Sequence, residues 1–492
     1  MIGIGGAGMS VIAHLLHARG VPVQGSDGVD SATVTRLRDA GVPVWVGHDA
    51  AHVSGEDGDG DSPAGPDADG GGPVARTGPA DTVVVSSAVR DGNPELAAAR
   101  AAGLRVLHRS EALAALMAGG RGVAVAGAAG KTTTSAMLAV VLRETGADPS
   151  YAIGSTVRTA GTETPGGHLG SSDILVAEAD ESDGSFLNYE PVVSVVTNVE
   201  PDHLDHWGTT EAIHDAFVEF AGRLRPGGML VACADDDGSL AVARQVTASG
   251  GRVVTYGESA GADVRVTDVT TTADGAGATL TGAPLGPEPL AMRLVVTGRH
   301  NVLNATAAVV AAVLLGVPAR DAVAAARAFT GTGRRFELRG SAGGVRVVDD
   351  YAHHPTKVAA LLEAARTVAA PGRVLVLFQP HLFSRTRDFA ADFARVLSPA
   401  DKVVVTGVYA AREDPDPQVG PRTITALMSP DTARAVDDMH DAAREVADLA
   451  RPGDLVLTVG AGDVTLLGPE ILDRLAARVA AGELADAGTA RG

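Results

Sequence analysis

The chain has 492 residues, 45% hydrophobic and only 3% aromatic, with one cysteine, Cys233, and a formal net charge of −20. That length suits about three domains of ~150 residues, their cores filled by Ala, Val and Leu; the acidity excludes a general nucleic-acid surface, and a lone cysteine excludes an intrachain disulfide. The N-terminus has no basic leader pattern, and the most apolar run, 302–317, is shorter than the ~20 residues of a spanning helix. The expectation is a cytoplasmic protein with no membrane insertion.

The first element carries Gly3-Ile4-Gly5-Gly6-Ala7-Gly8, a G-x-G-x-x-G pattern. A helix is predicted over 9–18, then a strand over 21–27 that ends in Asp27, near the ~20-residue offset of a dinucleotide fingerprint. The pattern alone fits ligand binding and tight strand–helix packing equally well. Such a loop normally hangs on a full first strand, so the expected start of the protein lies upstream of Met1. Residues 54–79 are rich in Gly, Asp and Pro, with almost no large apolar side chain. They read as a disordered insertion. A buried strand resumes over 82–87 and ends in Ser86-Ser87, and two strand–helix units lead to a boundary near 118–122.

The next strand, 123–126, runs into Gly127-Ala128-Ala129-Gly130-Lys131-Thr132-Thr133-Thr134 and then a helix over 135–142. A glycine turn between strand and helix offers backbone N–H groups to an anion; the lysine reaches terminal phosphates, and the next threonine hydroxyl can ligate Mg²⁺. The spacing is G-x-x-G-K-T; a Walker A loop would need glycine at Val125. Strands at 174–177, 192–197 and 229–232 alternate with helices such as 210–224, the pattern of a helix-covered parallel sheet.

Glu178-Ala179-Asp180-Glu181-Ser182-Asp183 follows one of these strands, and Thr197-Asn198-Val199-Glu200-Pro201-Asp202-His203 follows another. Carboxylates at strand C-termini near a phosphate loop suit Mg²⁺. Taken singly, the first also reads as a solvated turn, and His203 as a satisfied surface histidine. Gly331-Thr332-Gly333 marks a further boundary, and a third α/β unit follows with strands at 345–348, 374–378, 403–406 and 455–459. The fold class expected is α/β: a Rossmann-like domain over 1–118, a central P-loop-type ATPase domain over 119–330, and a C-terminal Rossmann-like domain over 331–492.

In order along the chain, the short phosphate loop, the EADESD segment, the TNxxxDHxD segment and Arg299-His300-Asn301-Val302-Leu303-Asn304 resemble the Mur ligases, ATP-dependent amide-forming enzymes of peptidoglycan precursor synthesis. The alanine-adding branch is matched by Gly5-Gly6-Ala7-Gly8-Met9-Ser10, Asp349-Asp350-Tyr351-Ala352-His353-His354-Pro355, Phe378-Gln379-Pro380-His381 with Ser384-Arg385-Thr386-Arg387, and Gly460-Ala461-Gly462-Asp463. The resemblance implies that ATP and Mg²⁺ are used to join L-alanine to the lactyl carboxylate of UDP-N-acetylmuramate through an acyl phosphate.

By the same resemblance, Gly127, Gly130, Lys131, Thr132 and Thr133 hold the phosphates, and Thr132, Glu178 and His203 serve the metal. His300, Asn301 and Asn304 meet adenine. Gly5, Gly6, Ala7, Gly8, Met9 and Ser10, with Asp27, His48, Ser86 and Ser87, line the sugar-nucleotide site. Arg335, Asp350, Tyr351, His353, His354 and Arg385 close on the reaction centre and the amino acid, with His353 or His354 as the base for the amine. A monomer or homodimer is expected.

Two departures stand out. Ala128-Ala129 replaces a pair that carries a hydroxyl in the family, which predicts weaker ATP binding. The only lysines are Lys131, Lys357 and Lys402, so the central domain has none to carbamylate after the phosphate loop, as the alanine-adding branch implies. The nearest rival is the ligase that recycles a tripeptide onto the same sugar nucleotide. An NAD-dependent oxidoreductase and a non-catalytic binding homologue are the readings from other classes; the Lys131 loop opposes the first, and retention of Lys131, Glu178 and His203 opposes the second.

Overall fold

The computed structural model describes residues 1–54, 79–411 and 413–484. The insertion read over 54–79 lies, apart from its two end residues, outside the described residues, as does the Ala/Gly-rich tail from 485. The described chain forms two compact units. The first comprises residues 1–267, 279–292 and 303–329, and the second 268–278, 293–302 and 330–492.

In the first unit, strand Gly25–Asp27 pairs in parallel with Val44–Val46, and Thr82–Val85 pairs in parallel with Arg105–His108. The segment 1–4 links these ladders. Ile2 bridges to Ser26, and its N–H donates to the Val84 carbonyl at 3.0 Å. The strand expected over 21–27 is shortened to its last three residues; Pro22 has no N–H to give a ladder.

A larger sheet centres on Arg121–Ala126, flanked in parallel by Ile174–Glu178 and Val193–Val196. Met229–Cys233, Val253–Gly257 and Val264–Thr272 extend it in parallel beyond Val193–Val196, and Ser150–Ala152 extends it on the other side. Val123, Ala124, Val125 and Ala126 are fully buried. Small and β-branched residues suit a parallel strand covered on both faces. Helix Lys131–Glu144 is buried on every side from Thr134 to Leu142, which explains why its sequence shows no polar stripe. Most of the apolar run 302–317 belongs to helix Arg299–Leu314, apolar because it is buried.

The second unit contains a six-stranded sheet in the order Glu337–Ala342, Val345–Asp350, Leu455–Val459, Val374–Phe378, Lys402–Val405, Ala433–Ala435. Its first pair is antiparallel and the others parallel. Helices Pro355–Ala369 and Ala390–Leu397 pack a core on one face, where Phe378 meets Phe393 with ring centroids 5.1 Å apart. Met439–Leu449 and Leu467–Ala480 cover the other face. The fold is α/β with mainly parallel sheets, as the alternating strands and helices indicated.

Candidate active site

The phosphate loop lies at the C-terminal end of the central strand, where ligands of open α/β sheets bind. Gly127 has φ +137° and Gly130 +88°, conformations that L side chains rarely adopt. A Cβ on Gly130 would also stand 2.6 Å from Asn304 Oδ1, and one on Gly127 would collide with Thr197 Oγ1. Thr132 and Thr133 occupy the first turn of helix Lys131–Glu144. The loop is braced from the neighbouring strand: Asn198 Oδ1 accepts from Ala129 N–H at 2.8 Å, and Asn198 Nδ2 and Thr197 Oγ1 donate to the Ala129 carbonyl at 2.9 and 2.6 Å. Backbone contacts with Thr197 and Asn198 thus support the loop where Ala128 and Ala129 bring no hydroxyl.

Lys131 reaches back across the loop. Its ammonium donates to the Gly127 carbonyl and to both oxygens of Glu181, each at 2.8 Å. Burial opposes the lysine charge, but Glu181, Asp180 and Glu178 outweigh it and raise the pKa. Burial pushes the Glu181 carboxyl up, while Lys131 pulls it down. Thr132 Oγ1 donates to Glu178 Oε1 at 2.7 Å, and Gly154 N–H donates to Oε2 at 2.9 Å. His203, at φ +56°, places Nε2 3.9 Å from Glu181 Oε1 and 3.7 Å from Asp202 Oδ2. The structure thus brings Lys131 and His203 to Glu181, which sequence reasoning did not single out, and Thr132 to Glu178.

Asn304, expected at adenine, lies against the phosphate loop and accepts from Thr134 Oγ1 at 3.3 Å. His300 and Asn301 begin the same helix within the second unit, and Asn301 Nδ2 caps the Thr297 carbonyl at 2.7 Å. Burial lowers the His300 pKa to about 4. Its neutral form therefore stabilises the fold fully above pH 6.5, the value for an unfolded histidine, and that stability is lost as pH falls toward 4. The residue as a whole is only half-buried, so solvent holds the effect to ~1 kcal/mol at pH 5. Urea unfolding at pH 7 and pH 5 checks this: His300→Gln loses less stability over that interval than the parent by about that amount. An equal loss in both chains contradicts it.

Around the first glycine loop, Asp27 accepts from Gly5 N–H at 2.8 Å and from Val29 N–H at 3.1 Å. Gly6 caps helix Ala7–Ala18, and Ser10 N–H donates to the Gly6 carbonyl at 2.9 Å. Met9 is 2% exposed, so its side chain belongs to the core. A Cβ on Gly8 would stand 2.8 Å from the Arg109 guanidinium, which donates to Asp180 at 2.9 Å. Burial acts to raise the Asp180 pKa, yet Lys131 and Arg109 hold it down at about 2. Ser87 Oγ donates to Asp183 and lies 3.2 Å from His108 Nε2. Ser86 follows strand Thr82–Val85, and His48 follows Val44–Val46.

In the second unit, Asp350 accepts from Phe336 and Ala352 N–H groups, both at 2.8 Å. Burial pushes its carboxyl up, with Arg335 opposing. The guanidinium groups of Arg334 and Arg335 lie 4.9 and 5.0 Å from the Tyr351 ring centre. His353 Nδ1 is 2.8 Å from the Tyr351 carbonyl, and its Nε2 is 3.4 Å from Lys357 Nζ. His381 joins this group, with its ring 5.6 Å from His353 and its Nδ1 3.2 Å from Arg385. His354 is only 4% exposed and packs edge-on against Phe389. His381 and Lys357 were missed as site residues, although each stands four positions from one that was named.

Three family profiles match consecutive stretches: "Mur ligase family, catalytic domain" over 1–121, "Mur ligase middle domain" over 125–312, and "Mur ligase, glutamate ligase domain" over 334–462. The UDP-N-acetylmuramate–L-alanine ligase of Kineococcus radiotolerans is 57% identical over 97% of this chain and 96% of its own. The ligase of the same name from Renibacterium salmoninarum is 53% identical over 96% of this chain and 95% of its own. Among solved structures, the UDP-N-acetylmuramate–alanine ligase of Thermotoga maritima aligns with TM-score 0.74 and 27% identity, covering 96% of this chain and 97% of that one. Matches that span both glycine loops, the acidic segment and the paired histidines leave one conclusion: the chain belongs to the Mur ligase family.

Proposed function

We propose that this protein is an ATP-dependent ligase that joins L-alanine to the lactyl carboxylate of UDP-N-acetylmuramate, releasing ADP and phosphate. The observation that carries this reading is the near-full-length identity to ligases bearing that name, together with the phosphate loop, acidic strand ends and paired histidines described above. The three profile segments support a domain division at 1–118, 119–330 and 331–492, for sugar nucleotide, ATP and amino acid in turn. No helix among the described residues is long and apolar enough to cross a membrane, and a cytoplasmic site suits the nucleotide substrates.

The lactyl carboxylate attacks the γ-phosphorus of ATP, giving an acyl phosphate and ADP. The alanine amine then attacks the activated carbonyl, and the tetrahedral intermediate expels phosphate. No protein nucleophile is needed, so catalysis rests on positioning and on neutralising charge. Gly127–Gly130 amides and Lys131 receive the phosphates, which replace Glu181 as the lysine's partner.

Thr132, Glu178 and His203 form a donor set dominated by hard oxygens, which fits Mg²⁺. Among the described residues no three His, Cys, Asp or Glu side chains form a cage on their own; Mg²⁺ held through nucleotide phosphates needs only one or two protein carboxylates. When bound, the ion neutralises phosphate charge. His353 is the base reading for the alanine ammonium, because a carbonyl at Nδ1 leaves Nε2 as the proton-accepting nitrogen.

The test is phosphate release from Mg-ATP and UDP-N-acetylmuramate with L-alanine, with a stem tripeptide, or with no acceptor. Release that depends on L-alanine, with a product of matching mass, is expected. Release that depends on the tripeptide moves the protein to the recycling branch, and equal rates in all three arms overturn the ligase reading.

A further inference from the structure

The first ladder of the chain encloses a buried acid that the reaction above does not use. Glu95, in the first turn of helix Pro94–Ala101, is 1% exposed. Its Oε1 lies 2.6 Å from His52 Nδ1, and its Oε2 lies 3.0 Å from His48 Nδ1 and accepts from Ser26 Oγ at 2.5 Å. Ser26 Oγ is itself 3.1 Å from His48 Nδ1. Three side chains, from strand Gly25–Asp27, the end of strand Val44–Val46 and helix Ala51–Ser54, thus converge on one carboxylate carried by helix Pro94–Ala101.

The chemistry of the contacts fixes the protons. A carboxylate can only accept, so the His48 imidazole beside Oε2 carries hydrogen on Nδ1, whereas His52 Nδ1 lies between Oε1 and the Asp49 N–H, 3.3 Å away. Ser26 Oγ then donates to Glu95 and accepts from His48. The two rings differ in what remains. The His52 ring stacks on Trp45 with centroids 4.7 Å apart. His48 is more open, its side chain 29% exposed, and its Nε2 is the atom that a Cβ on Gly28 would meet first, at 3.9 Å. Nε2 therefore faces the Asp27-Gly28 turn at the C-terminal end of strand Gly25–Asp27, the end at which ligands of open α/β sheets bind.

We propose that Glu95 is a positioning residue for the sugar nucleotide: it holds the His48 proton on Nδ1 and so presents Nε2 as an acceptor to a hydroxyl or imide N–H of the uridine diphosphate moiety. This rests on the reading of His48 as a sugar-nucleotide contact. An orienting carboxylate behind a ligand-facing imidazole sets both the tautomer and the ring angle, and an amide in its place can do neither reliably. Glu95 touches neither ATP nor the reacting carboxylate in this account, so its loss acts on sugar-nucleotide affinity.

The test uses the full chain and three variants, Glu95→Gln, His48→Gln and His52→Leu, with UDP and ADP as calorimetric probes and UDP-N-acetylmuramate in steady state. Glu95→Gln and His48→Gln each weaken UDP binding by about tenfold, the value of one well-placed hydrogen bond, and raise the KM for UDP-N-acetylmuramate by a similar factor. The ADP affinity and kcat stay within about twofold of the parent. His52→Leu, which removes another partner of the same carboxylate, leaves UDP binding unchanged.

Long-range ¹⁵N NMR of histidine-labelled protein, with His48 assigned by its loss in His48→Gln, reads the tautomer directly. The Nδ1–H form is expected in the parent and a mixture in Glu95→Gln. A parent His48 protonated on Nε2 overturns the proposal. So does a His52→Leu variant as impaired as Glu95→Gln, because the effect is then structural. If His48→Gln binds UDP like the parent while the tautomer is as expected, the sugar-nucleotide reading of His48 fails and takes the proposal with it. L-alanine-dependent turnover in the parent then still stands as a separate result.

Discussion

Lys131→Ala lowers the turnover of Mg-ATP with UDP-N-acetylmuramate and L-alanine by about 10²–10³-fold, the cost of one preorganised charge donor at a transferring phosphoryl group. The ammonium sits at the head of a buried helix with its position set by three contacts of 2.8 Å. It needs no reorganisation beyond the exchange of Glu181 for phosphate. Removing it has a second consequence. Glu181 is 3% exposed, and breaking a buried pair costs about 3–5 kcal/mol because the remaining charge is unpaired.

The variant alone thus confounds folding with chemistry. Adding Glu181→Gln removes the stranded charge, so Lys131→Ala with Glu181→Gln regains most of the lost stability but none of the lost turnover. Thermal midpoints and phosphate-release rates on the parent, both single variants and the double variant separate the two. Recovery of turnover in the double variant contradicts a phosphate role for Lys131.

The parts of this site that were legible in the sequence are those whose members are neighbours in the chain. Gly127 to Thr132 announces a strand, a turn and a helix in one run, and Glu178 ends a strand whose apolar stretch is plain. Glu181 was legible as an acid but not as the partner of Lys131, because the 50-residue separation is closed only by parallel pairing of Ile174–Glu178 with Arg121–Ala126.

The bracing of Ala129 by Asn198 and the seat of Asn304 against Gly130 are likewise products of sheet order. A short amide side chain gives no sign of what it will touch. The Glu95 cluster draws on residues 26, 48, 52 and 95, and no local pattern joins them. In the fold, strand Val264–Thr272 alternates buried and exposed positions and could have been read from Val264 and Val266. The exposed threonines and Asp268 that follow obscured it, since they resemble a polar loop.

The histidine pair offers the sharpest chemical distinction, because adjacent residues of one type have been given different surroundings. His353→Ala lowers the L-alanine-dependent rate by about 10²–10⁴-fold, the range for loss of a general base. His354→Ala acts mainly through the fold. His353 Nδ1 faces a carbonyl at 2.8 Å; a carbonyl has no proton to give, so Nδ1 donates and Nε2 carries the lone pair. The Lys357 ammonium lies 3.4 Å from Nε2. His354, by contrast, is 4% exposed, caps helix Pro355–Ala369 and packs on Phe389. That burial leaves His354 less open than His353 to an incoming amine.

The two half-reactions separate these roles. Trapping with hydroxylamine reports acyl phosphate formed before the amine attacks, and His353→Ala retains that signal while amide formation falls. His354→Ala lowers the thermal midpoint and, well below that midpoint, changes both half-reactions by the same factor. If His353→Ala loses acyl phosphate and amide together, the residue acts before the amine arrives and the base assignment fails. If neither variant slows amide formation, the proton leaves the ammonium by another route, and the Arg385–His381 pair, 3.2 Å apart beside the same ring, becomes the group to replace next.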